Sequence, residues 1–119
     1  MADGQASITN TRNGKTLATS AEDAKGMWGS FKGLMMKSSI PERYGLVFRP
    51  AMGIHTCFMR FPIDLIYFDK ENRVTKVKPA VKPWRVDLTM AAGVIEMNPG
   101  SAAAADLQPG DTLLFDLAA

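Results

Sequence analysis

Two apolar runs, Ile54 to Phe61 and Ile63 to Asp69, stand back to back with only Pro62 between them. Both are rich in β-branched and aromatic residues, which predicts two strands joined by a kink or tight turn. Upstream, Ser7 to Thr11 and Lys15 to Thr19 flank Arg12-Asn13-Gly14. Asn-Gly tolerates the positive φ of a type I′ turn, so a first hairpin is expected there. Ser20 reads as a helix N-cap, with Glu22 and Asp23 in the first turn. Ala24, Trp28, Phe31 and Met35 then recur at helical spacing. Gly26, Gly29 and Gly33 weaken that helix, so it should be short, about residues 21–33, with Met27, Met35 and Met36 as adaptable core filling.

Leu46 to Phe48 reads as a short strand stopped by Pro50, and Lys70-Glu71-Asn72 as a hairpin turn. Arg73 to Lys78 follows as a strand in which Val74 and Val77 break strict alternation, implying a bulge. Pro79 and Pro83 exclude a central strand for Lys78 to Arg85 and leave an edge or an extended loop. Thr89 to Met97 is a strand or strand pair, and a second short helix is expected at about 101–106, capped by Ser101. In Gln108-Pro109-Gly110-Asp111 the glycine supplies positive φ and the aspartate caps the turn before a last strand, Thr112 to Leu117. The expected fold is α+β, mainly antiparallel β, a compact barrel-like or curved sheet with two short helices. Residues 1–6 should be disordered and 7–119 one domain.

The composition of the 119 residues changes this picture little: 46% hydrophobic and 22% charged, as in ordinary globular proteins. A net charge of +2 is too small to argue for nucleic acid, and no apolar run reaches the roughly 20 residues of a membrane helix. One cysteine excludes an internal disulfide framework, and one His with one Cys leaves a metal site short of ligands. No cofactor is implied. The start shows no basic region followed by an apolar one, so the sequence as given reads as cytoplasmic, or as extracytoplasmic if a leader has been removed.

Asp64, between Ile63 and Leu65-Ile66, is the first candidate for chemistry, because a carboxylate among apolar strand residues must find donors or a cation. Arg60, Arg85 and backbone N–H groups are the available partners. Strand alternation would place Ile54, Thr56, Phe58 and Arg60 on one face and His55, Cys57, Met59 and Phe61 on the other. His55 and Cys57 outline a thiolate–imidazole pair without a third orienting group, which fits an inert thiol better than a nucleophile. Trp84-Arg85, on the segment stiffened by two prolines, is the best binding feature: an aromatic with little ordering entropy beside a guanidinium.

In order along the chain, Gly33-Leu34-Met35, Gly45-Leu46-Val47-Phe48, the block His55-Thr56-Cys57-Phe58-Met59-Arg60-Phe61-Pro62-Ile63-Asp64, Lys82-Pro83-Trp84-Arg85, Glu96, Asn98-Pro99-Gly100 and Leu107-Gln108-Pro109-Gly110-Asp111 resemble the prokaryotic family known as domain of unknown function 192. The likeness runs from about Leu17 to Leu117, with Phe-Met-Arg-Phe-Pro-Ile-Asp as its most specific part. Cys57 stands where the family usually has an aromatic residue. The resemblance implies a compact, mainly β fold with small helices and no established activity. Many relatives carry export signals, and some are encoded near pilus or secretion machinery.

Three functions are weighed on these residues. The first is a non-catalytic binding module whose groove, walled by a His55–Phe61 strand and the Pro79–Trp84 loop, takes a small anion, a peptide or a partner protein's tail through Arg60, Asp64, Trp84, Arg85 and His55. The second is an accessory factor of an export or pilus system, marked by an exposed Met- or aromatic-rich patch. The third is a hydrolase-type enzyme with Asp64 as acid or base.

Overall fold

A computed structural model describes residues 6–24 and 39–117. Its elements, in chain order, are β1 (Ala6–Asn10), β2 (Thr16–Asp23), β3 (Tyr44–Phe48), β4 (Ala51–His55), β5 (Ile63–Phe68), β6 (Val74–Val81), β7 (Val86–Ala91), β8 (Gly93–Met97), α1 (Ser101–Ala104) and β9 (Leu113–Leu117). Seven strands form one sheet in the order β6-β5-β8-β3-β2-β1-β9, and β4 pairs with β7 as a separate two-stranded ribbon. All pairs are antiparallel except β2 with β3.

The sheet is curved but open. Its outermost strands meet at one corner only, through the bridge Arg73↔Thr112 and the bonds Val74 N–H to Asp111 O and Leu113 N–H to Asn72 O. The barrel-like expectation is therefore corrected: β6 and β9 touch at their starts and pair no further. The Pro79-containing strand is the edge, as the missing N–H requires.

The expected first helix is also corrected. Ser20, Ala21, Glu22 and Asp23 are the last residues of β2, where they pair with Tyr44 to Val47, so Ser20 caps no helix. Parallel pairing overrides the local capping pattern there. Residues 25–33 of that expectation lie outside the described residues, as do Met35, Met36 and residues 1–5. Ala6, expected in the disordered start, already pairs with Leu117 and Ala21. The second helix is shorter than expected; Gly100, at φ 92, takes the N-cap position and Ser101 is its first helical residue. It is the one helix among the described residues.

The first hairpin forms where Asn13-Gly14 predicts it, but only Gly14 has positive φ, and its N–H closes a wider turn onto Asn10 O. The bulge expected near Val74 and Val77 is present: Phe68 pairs with Val74 and Tyr67 with Lys76, leaving Thr75 unmatched. The Gln108–Asp111 turn closes as expected, Gly110 at φ 98 and the Asp111 carboxylate accepting the Gln108 N–H at 2.9 Å. Arg12 adds a clamp across the same corner, its Nε donating to Asp111 Oδ1 at 2.7 Å.

Every residue of β5 and β8 is buried, because the sheet is covered on both faces. On one side Ile66, Phe68, Ile95 and Met97 pack with Ala102, Ala105 and Leu107 of α1 and its exit. On the other, Leu46, Ile63, Leu65, Tyr67 and Val94 pack with Met59 and Ala51 beneath the β4–β7 ribbon. Each large side chain so buried contributes roughly 1.5–3 kcal/mol. The ribbon is held down from inside: Asp87 of β7 accepts the Tyr67 hydroxyl at 3.0 Å and pairs with Lys78 of β6.

Candidate functional site

Within β7 the alternation is clean. Asp87, Thr89 and Ala91 turn toward the sheet, and Val86, Leu88 and Met90 turn outward. Register sets Met52 of β4 opposite Met90 and His55 opposite Val86, on that outer face. Leu88 is 79% exposed, and Met52, Met90 and Val86 are comparably open. This apolar strip is the reverse of what a solvated strand face shows.

The strip continues into a pair of loops. The structure ends β4 at His55, so the expected His55–Phe61 strand is instead a turn, and the strand alternation assigned to its residues is corrected. Phe58 sits at φ 66 within it, which breaks the extended count: Phe58 turns out while Met59 turns into the core. Facing it is Trp84, at φ 62, its ring centroid 4.7 Å from that of Phe58. Thr56, buried, binds the two loops together. Its Oγ1 donates to Lys82 O and accepts the Arg85 N–H, and its backbone O accepts the N–H groups of Met59 and Trp84. Sequence reading missed Thr56, whose only signal was a hydroxyl between His55 and Cys57.

Of the residues singled out from sequence, Trp84, Arg85, Arg60 and His55 are all exposed on or beside this surface. His55 Nδ1 accepts the Cys57 N–H at 3.2 Å, so the two side chains are linked through backbone rather than as a nucleophile and base. Asp64 is elsewhere. It is fully buried, one oxygen accepting the Ala80 N–H at 2.9 Å and the other the Ala102 N–H at 3.0 Å, and no cation among the described residues pairs with it. Its role is to cap α1 from the face of the sheet on which that helix packs and to satisfy the N–H freed where β6 bulges opposite it.

Asp87 and Glu96 are both perturbed. Burial alone would raise Asp87, but bonds from Lys78, Thr89 and Tyr67 hold its carboxyl well below the ordinary range, and burial with that same bond pushes the Tyr67 hydroxyl up. Burial pushes the Glu96 carboxyl up to about 8. An open cleft of about 700 Å³ lies apart from the ribbon, between Lys15, Arg43, Asn98 and Ser101.

Fold and surface together define a mainly β protein with one short helix among the described residues and an outward-facing apolar ribbon. The chain belongs to the DUF192 family, described as uncharacterized ACR, whose model matches residues 8–115. Two solved structures share the fold. A candidate transcription regulator from Sinorhizobium meliloti 1021 superposes with a TM-score of 0.78 at 18% identity, covering 93% of this chain and 92% of its own. A protein of unknown function from Novosphingobium aromaticivorans DSM 12444 gives 0.76 at 23% identity, covering 92% and 83%. No protein with a curated description matches.

Proposed function

We propose that this protein is a non-catalytic binding module that docks an apolar, acidic segment of a partner protein on the outer face of the β4–β7 ribbon. The observation that carries it is the Phe58–Trp84 pair. Two bulky aromatics hold left-handed backbone, packed against each other at an interplanar angle of 59° and open to solvent. Such backbone costs on the order of 1–3 kcal/mol per residue and recurs where a surface is built for binding. Met52, Val86, Leu88 and Met90 extend the apolar area beyond the pair.

Charge chooses the partner. Arg60, Lys82 and Arg85 are exposed around the aromatic pair, and no acid among the described residues forms a salt bridge with them. Asp87, the nearest acid in sequence, is taken by Lys78. An acidic segment complements this rim, whereas a second copy of the chain would bring like charges together. With Asp64 sealed and both its oxygens occupied, the hydrolase reading loses the group it was built on.

The test is an NMR titration with a short synthetic strand peptide alternating Leu or Val with Glu, against a control carrying Lys for Glu. The acidic peptide should shift the amides of Trp84 and β7, weaken with added salt, and lose binding to the Leu88→Lys, Met90→Lys double variant, which should fold normally. Equal binding of the basic control overturns the reading. So does a failure of the acidic peptide to bind, including the case where vesicles of anionic phospholipid capture the protein instead.

A further inference from the structure

Six polar side chains among the described residues are buried: Asn10, Thr56, Asp64, Asp87, Glu96 and Asp111. Five are engaged. Asn10 and Arg12 donate to Asp111, Thr56 binds the 82–85 loop, Asp64 takes two backbone N–H groups, and Asp87 takes Tyr67, Lys78 and Thr89. Glu96 is the exception. It is 6% exposed, and its side chain has no hydrogen bond or ion pair with any described residue. Yet no buried side-chain oxygen is sealed away without a partner, so solvent reaches the Glu96 carboxyl.

Register says what surrounds it. Glu96 lies between Leu46 of β3 and Leu65 of β5, on the face of the sheet that carries Val94. Two residues along those flanking strands, on the same face, are Tyr44 and Tyr67, which pack into the same core. Their hydroxyls are turned to other acids, Tyr44 to Glu22 Oε1 at 2.9 Å and Tyr67 to Asp87 Oδ1 at 3.0 Å. Lys78 and Lys76 are the bases on this side; Asp87 holds Lys78, and Lys76 donates to Thr89 Oγ1 at 3.2 Å.

We propose that Glu96, flanked by Tyr44 and Tyr67, anchors a small site for an alkylammonium group. Aromatic rings with a carboxylate between them favour a cation. Burial pushes Glu96 up to about 8, so the empty site is protonated at neutral pH. An incoming cation favours the ionised form, releases that proton, and binds more tightly as pH rises.

The test is an NMR titration of the protein with n-butylammonium, with n-butanol and butanoate as size-matched controls, at pH 6.5 and pH 9. Butylammonium should shift the amides of Leu46, Leu65 and Glu96 and bind about tenfold or more tightly at the higher pH. The Glu96→Gln variant should lose it, and the Leu88→Lys, Met90→Lys variant should keep it, since the ribbon's outer face takes no part. Equal binding of butanol, binding of butanoate, binding retained in Glu96→Gln, or no shift with any probe overturns the proposal. Should Glu96→Gln fail to fold, the wild-type side-chain carboxyl signal decides: its titration midpoint must fall when butylammonium is added, and an unchanged midpoint overturns the proposal.

Discussion

The carboxylate of Asp64 accepts the backbone N–H of Ala102 across 38 residues of sequence, at 3.0 Å, while its second oxygen holds the Ala80 N–H at 2.9 Å. One side chain thus joins three elements: β5, the bulged edge strand β6, and the first turn of α1. Gly100, at the N-cap position, has no side chain to serve that helix, and Asp64 does so from the sheet.

Asp64→Asn should therefore destabilise the protein by about 3 kcal/mol, since an amide cannot accept at both ends and leaves one buried N–H facing its own donor. Urea unfolding measures the loss, and hydrogen exchange should quicken at Ala80 and Ala102 first. Peptide docking at the ribbon should be unchanged, which separates this residue from the surface it adjoins in sequence.

Phe58→Gly should behave in the opposite way. Glycine holds φ 66 without strain, which offsets the loss of an aromatic contact worth about 0.5–1.5 kcal/mol. The thermal midpoint should move by no more than a few degrees in either direction. Binding of the acidic strand peptide should fall at least tenfold, because Trp84 loses the ring that orients it. A large loss of stability with binding intact would assign Phe58 to the scaffold instead.

Much of this architecture was legible in the sequence because it follows from local rules. The Asn13-Gly14 hairpin, the bulge near Val74 and the edge position of the Pro79 strand each rest on what one residue's backbone permits. The helix expected from Ser20 failed because residues 20–23 pair in parallel with Tyr44 to Val47, a contact between segments more than 20 residues apart that no capping pattern reveals. Trp84 and Arg85 stand out in the sequence as an aromatic and a guanidinium beside Pro83, and the structure exposes both. The face itself, Met52 and Met90 with Val86 and Leu88, needed the β4–β7 register to assemble. Glu96 carried the same signal that made Asp64 conspicuous, an acid inside an apolar strand, and went unused as a site residue.

Glu96→Gln should change how stability depends on pH. A carboxyl raised to about 8 in the folded state keeps its proton while the unfolded chain, ionising near 4.3, gives it up. The folded state then loses stability as pH rises from about 4.3 to about 8, by at most roughly 1.4 kcal/mol per pH unit. Glutamine does not titrate, so the variant's advantage over wild type should widen across that window and level off above pH 8. Asp87 and Asp111 act in the other direction, held low by their donors, and their contribution is lost as pH falls below the ordinary carboxylate range. Denaturant midpoints of both proteins taken at each pH check the sign; a constant difference would show that Glu96 titrates normally.

Gly93 faces Phe68 across the β5–β8 pair, and a Cβ built there would lie 2.7 Å from the ring's Cε1 and closer still to Cζ. Its backbone is not in the left-handed region, so the glycine is required by space alone. Phe68 has nowhere to move. It is 1% exposed, the Arg49 guanidinium lies over it 5.3 Å from its centroid, and the Phe115 ring stands 5.3 Å away on the sheet's far edge strand. Gly93→Ala should therefore cost about 1–3 kcal/mol, the range for overpacking a filled core. Phe68→Leu alone should also destabilise, by removing ring contacts with Arg49 and Phe115. Combined, the two changes should recover part of the sum, because leucine vacates the volume the new methyl needs. A double-mutant cycle measures that coupling. Strict additivity would mean that the methyl is accommodated by the strands moving apart, and that Phe68 is not what Gly93 makes room for.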